Sequence, residues 1–127
     1  MASAYIAGPM RGYPRFNFDA FDAARDIIRS WGIDPVSPAD LDRKAGIDPD
    51  NSDGFSESVL RECLKRDIVE LIDCDLIVML HGWEDSAGAV AEYALATAIG
   101  IPVIEFHCGN DGTYESLKSK TNAGVTK

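Results

Sequence analysis

Short apolar runs alternate along this chain with longer segments of helical period, and no other feature of the sequence restricts the fold as much. Ser3 to Ala7 is an apolar run stopped by Gly8 and Pro9, which suits a buried strand feeding a turn. From Asn17, a favourable N-cap residue, Phe18, Phe21, Ala24, Ile27 and Ile28 recur at helical spacing, and Gly32 stands where a C′ glycine ends a helix. Ile33 to Ser37 predicts a short second strand. Pro38 to Gly54 is rich in Asp, Pro and Gly, shows no sustained period and reads as an acidic loop. Helical periodicity resumes over Ser56 to Ile72, and the dense apolar run from Asp75 to Leu80 predicts a central strand. His81 to Asp85 follows as a loop. The Ala-rich stretch Ser86 to Ile99 predicts a helix closed by Gly100, and Pro102 to Phe106 a further strand. The tail from Gly109 is polar and carries no clear pattern.

Strands separated by helix-length segments imply a parallel sheet covered on both faces, because each crossover needs a helix. The expected fold is therefore three-layer α/β, doubly wound and Rossmann-like, around a central parallel sheet of four to five strands in a single domain over residues 1–127. In open sheets of this kind ligands bind beyond the carboxyl ends of the strands. Gly8 to Pro14 and His81 to Ser86 occupy such positions.

Composition narrows the function. With 46% apolar residues, 127 residues can build one core without disulfide help. A net charge of -9 argues against nucleic-acid polymers or an anionic membrane as partners, since both need a basic surface. Three cysteines, Cys63, Cys74 and Cys108, form no paired spacing, and together with His81 and His107 they show no nucleophile or metal pattern. No metal and no cofactor is expected. The weakly charged run Ser86 to Ile104 is broken by Glu92, Gly100 and Pro102, and the N-terminus lacks the basic-then-apolar pattern of a signal peptide. A cytoplasmic, soluble protein is the expectation.

Glu92 is the only charged side chain between Ser86 and Ile104. It sits either on an exposed stripe of an Ala-rich helix or inside a site, because a buried charge needs a partner or a task. Gly88, one turn earlier, costs helix propensity yet leaves room beside the i+4 side chain for a ligand. Ser86 is a natural N-cap, and the same helix terminus favours an anion. In Gly8 to Gly12, Arg11 is placed either as a solvated arginine on a tight turn or as a phosphate ligand. Asp67, among Lys65, Arg66 and Glu70, reads by composition as an ordinary helix acid or as a functional one.

Taken together, Tyr5-Ile-Ala-Gly-Pro-Met-Arg-Gly12, the Asp67-x7-Asp75 segment entering an apolar strand, and Ser86-x-Gly88-x3-Glu92 resemble the nucleoside 2-deoxyribosyltransferase superfamily, over about residues 3 to 106. Within it the chain looks most like the 2′-deoxynucleoside 5′-phosphate N-hydrolases. The resemblance implies that Glu92 is the nucleophile at the anomeric carbon, Asp67 the acid near the leaving base, and Tyr5 the hydroxyl that orients the nucleophile. Gly8, Met10, Arg11 and Gly12 match the loop around sugar and phosphate. Ser86 stands where the transferases carry an Asp for a free 5′-hydroxyl and the nucleotide hydrolases a Ser, which implies a 5′-monophosphate. Ser116 lies at about the distance of a second serine given by a neighbouring subunit. The implied protein is a homodimer, or higher homo-oligomer, acting on a small nucleotide or nucleoside. Base exchange by deoxyribosyl transfer and a catalytically silent nucleotide-binding module are the alternatives. Glu84 and Asp85, immediately before Ser86, depart from a phosphate-binding pattern.

Overall fold

The computed structural model describes residues 2–48, 50, 57–108 and 114–119, with the side chains of 107, 108 and 114–119 outside the description. Strand β1 (Ser3–Ala7) leads through a short 3-10 turn at Pro14–Asn17 into helix α1 (Phe18–Ser30). Then come β2 (Asp34–Val36), α2 (Pro38–Lys44), α3 (Glu57–Ile72) and β3 (Leu76–Met79). A second 3-10 turn, Trp83–Asp85, precedes α4 (Ala87–Ala98), β4 (Val103–Cys108) and β5 (Tyr114–Ser119). The strands form one sheet in the order β2-β1-β3-β4-β5. The first four run parallel, and β5 is antiparallel to β4 at the edge. This is the expected three-layer, Rossmann-like α/β arrangement.

The two cores follow from the period of two along β1. Ala4 and Ile6 face a cluster with Phe18, Phe21, Ala24 and Ile28 of α1 and Ala39 of α2. Tyr5 and Ala7 face the opposite cluster, with Leu71 of α3 and Ala89 and Ala96 of α4. Ile77 and Met79 of β3 join the second cluster, and Val78 joins the first.

Two expectations are corrected. The segment read as an acidic loop from Pro38 begins with a helix: Ser37 caps it by accepting from Ala39 N–H at 3.2 Å, and Pro38 occupies the first turn. Of the rest of that segment, 49 and 51–54 lie outside the described residues. Asn17 stands before α1 as expected but makes no side-chain cap. It adopts φ 61°, and its Nδ2 donates to the Pro9 carbonyl at 2.8 Å, tying the β1–α1 loop to the helix start. The polar tail contributes the fifth strand through backbone pairing to β4, which leaves no apolar signature to read.

The chain passes from β1 to β2 on one side and later returns to β3 on the other. The sheet therefore has its topological switch point between β1 and β3, where the flanking helices diverge and a cleft opens.

Candidate active site

A cleft of about 610 Å³ occupies that switch point. One wall is the loop from Gly8 to Tyr13, which leaves the end of β1, and another is the start of α4 from Ser86 to Glu92. Pro38 and Asp42 of α2 and Leu60, Cys63, Leu64 and Asp67 of α3 close the far side.

Glu92 is 7% exposed, and its Oε2 accepts a hydrogen bond from the Tyr5 hydroxyl at 2.6 Å. The two residues meet because β1 turns Tyr5 toward α4 while the second turn of α4 turns Glu92 toward the sheet. Burial pushes the Glu92 carboxyl up to about 8; the Tyr5 bond opposes that rise, and the Asp67 charge adds to it. The Tyr5 hydroxyl, fully buried beside this acid, is held well above its ordinary range, chiefly by burial and then by Glu92. It therefore stays a donor. Tyr5 lies beneath the cleft wall and Glu92 forms part of that wall. The exposed-stripe reading of Glu92 is thereby ruled out by its burial.

Asp67 is also inside, its side chain 13% exposed. Burial raises its carboxyl to about 6, against the pull of Arg66 and with a push from Asp42 and Glu70. Arg66 donates from Nη2 to Asp67 Oδ1 at 2.6 Å and to Asp42 Oδ1 at 2.7 Å, and from Nε to Asp67 Oδ1 at 3.0 Å. Asp42 is 3% exposed, and burial raises its pKa despite the guanidinium. Neither Asp42 nor Arg66 stands out in the sequence. Asp42 lies in the helix read as loop, and its pairing with Arg66, 24 residues away, is purely tertiary. The one available signal was a Ser-Pro helix start at Ser37 and Pro38.

Ser86 Oγ accepts from Ala89 N–H at 3.2 Å and so caps α4, while the residue also lines the cleft. A Cβ built on Gly88 would meet no atom within 4 Å, because that position opens onto the cleft. Arg11 is exposed at the mouth and has no carboxylate partner among the described residues, whereas Arg15, Arg25, Arg29, Arg43, Arg61 and Arg66 each have one. Gly8 has a packing reason as well as a place in the loop: a Cβ there would lie 2.8 Å from Leu80 Cβ. Gly12 takes φ 85°, which favours glycine, and Met10 lines the wall. Asp85 lines the cleft and Glu84 does not. Ser116 lies in β5 opposite Phe106; its side chain is outside the description.

Of the aromatic residues Phe16, Phe18 and Trp83, Phe16 lines the cleft. Phe18 is fully buried, with the Arg43 guanidinium 4.9 Å from its ring. Trp83 packs on Tyr93 at 4.7 Å and donates to Glu105 at 3.3 Å. No group of three or more His, Cys, Asp or Glu among the described residues is arranged to hold a metal. No helix among them is long and apolar enough to cross a membrane.

Among solved structures, the fold is similar to a 2-deoxyribosyltransferase from the psychrotolerant bacterium Bacillus psychrosaccharolyticus, with a TM-score of 0.63 and 17% identity over 92% of this chain and 86% of that one. At that identity the likeness is one of fold. No curated protein matches the sequence. Residues 2–105 match a family described as "Domain of unknown function (DUF4406)", and the chain belongs to that family.

Proposed function

We propose that this chain is an N-glycosidase that hydrolyses a (deoxy)nucleoside 5′-monophosphate to free base and sugar 5-phosphate. The observation that carries this reading is the buried Glu92–Tyr5 pair in a cleft that also holds a half-buried acid, Asp67. Two carboxyl groups with different environments suit displacement through a covalent glycosyl-enzyme. Near neutral pH the two acids hold about one proton between them, and in the reactive form it rests on Asp67 and not on Glu92. Glu92, as carboxylate, attacks the anomeric carbon; the C–N bond breaks, its electron pair leaves with the base, and the base takes a proton from Asp67. Water then attacks the same carbon, gives a proton to Asp67 and releases Glu92. Tyr5 steadies the carboxylate through Oε2, and no hydrogen bond from the described residues reaches Oε1. Arg11, Ser86 and the N-terminus of α4 bind the phosphate, with Gly8, Met10, Gly12 and Gly88 shaping the space around it. The solved structure of similar fold is described as a biocatalyst for nucleoside synthesis, which agrees with nucleoside chemistry in this cleft. The acting unit is a cytoplasmic homo-oligomer, to which Ser116 of a neighbouring subunit contributes.

Asp85, on the cleft wall beside Ser86, favours a second reading, base exchange on an unphosphorylated deoxynucleoside, because a carboxylate accepts from a 5′-hydroxyl and repels a phosphate. The test is a panel of ribo- and deoxynucleosides and their 5′-monophosphates, followed by chromatography of free base with and without a competing base. Base released only from monophosphates supports hydrolysis, and new nucleoside formed with the added base supports transfer. Intact substrates throughout, or base released by Glu92→Gln at the parent's rate, overturn the reading.

A further inference from the structure

Behind Asp67 stands a charged group that the glycosidase reading leaves unused, the Asp42–Arg66 pair, of which Asp42 lines the cleft and Arg66 does not. Its geometry is specific. Arg66 spends Nε and Nη2 on one oxygen of Asp67, Oδ1, and the same Nη2 bridges to Asp42. Asp67 Oδ2 takes no hydrogen bond from the described residues, although Asp67 lines the cleft. One oxygen is thus anchored and the other is left to the ligand.

We propose that Asp42 and Arg66 form a positioning pair that fixes the Asp67 carboxyl with Oδ2 toward the leaving base, and that Asp42 offsets the Arg66 charge so that Asp67 can hold a proton to give away. The proposal deepens the glycosidase reading and rests on it for the purpose of the proton.

The argument is electrostatic as well as geometric. An arginine forked onto a carboxylate would by itself hold that acid ionised, as in an ordinary ion pair. A proton donor cannot work under such a cation. Asp42, buried on α2, supplies the compensating negative charge through the same Nη2. The groups facing Asp67 are Arg66, Cys63 and Glu70 on its own helix, Asp42 on α2, Glu92 on α4 and Tyr5 on β1. Arg66 is the single cation among them, and it is shared. An arginine needed only to neutralise Asp67 would have no use for a second buried acid, since burying that acid is costly.

The experiment is a carbon-13 carboxyl NMR titration of the full chain, comparing the parent with Asp42→Asn and Asp42→Glu. Asn keeps the shape and an oxygen to accept from Arg66, so it removes charge with little change of packing. In Asp42→Asn the Asp67 midpoint is expected to fall by about one pH unit, a tenfold loss of proton affinity. Asp42→Glu restores the parent midpoint. Base release at neutral pH falls in Asp42→Asn by a similar factor, with KM little changed, and returns in Asp42→Glu. An Asp67 midpoint that stays put in Asp42→Asn overturns the proposal, even if the variant is less stable. The titration needs no turnover: a shifted midpoint in a protein that releases no base leaves the positioning pair standing and removes the glycosidase reading. Failure of Asp42→Asn to fold, with Asp42→Glu folded but its Asp67 midpoint away from the parent's, also counts against it.

Discussion

Gly88 separates a structural from a functional explanation of a single residue. Glycine in a helix gives up as much as about 1 kcal/mol relative to alanine, and nothing within 4 Å requires its small size. Gly88→Ala is therefore expected to raise the thermal midpoint or leave it unchanged, while the new methyl intrudes on the ligand beside Glu92. KM for the substrate should rise about tenfold, worth ~1.4 kcal/mol of binding. A lower midpoint with unaltered KM would show that Gly88 serves the helix and not the cleft. Glu92 differs from Gly88 in how well the sequence exposes it. An isolated charge in an Ala-rich helix is conspicuous in sequence, and so Glu92 and its spacing from Ser86 were legible. Asp42 and Arg66 were not, because each is a common residue whose meaning comes from a partner on another element.

At the level of elements, the alternation of strand and helix was readable wherever a segment buries an apolar face, as in α1, β3 and α4. It failed for α2 and β5. Seven residues give α2 less than a full pattern, and its buried members are Pro38, Ala39 and Asp42. Its stability therefore leans on the start signal. Ser37→Ala removes the cap on Ala39 N–H and is expected to cost about 1 kcal/mol by chemical denaturation. Because α2 carries Asp42 to Arg66, the same change should loosen the far wall of the cleft and lower base release without touching Glu92. Equal stability and activity in the variant would show that the packing of α2 holds the helix by itself. For β5 the lost signal is different: an edge strand is specified by the backbone groups of its neighbour, and those leave no mark on side-chain pattern.

For the molecule as a whole, the buried acids make stability depend on pH. Glu92 titrates from 4.5 when unfolded to about 8 when folded, and Asp67 from 3.8 to about 6. Each is raised, so the folded state binds the proton more tightly. Their stabilising contribution is full below the unfolded values and is lost as pH rises through the folded ones, between about pH 4 and 8. The thermal midpoint of the parent should therefore drop across that window more than that of Glu92→Gln, which carries no proton to lose, and the two curves should separate most near pH 8. Curves that stay parallel would show that Glu92 titrates normally. The Tyr5–Glu92 bond joins residues 87 positions apart. During synthesis the hydroxyl emerges long before its acid, and the pair can form only once α4 is packed against β1 and β3. The growing chain thus holds no finished Tyr5–Glu92 pair, and the buried acid finds its donor only after the domain that carries both has nearly folded.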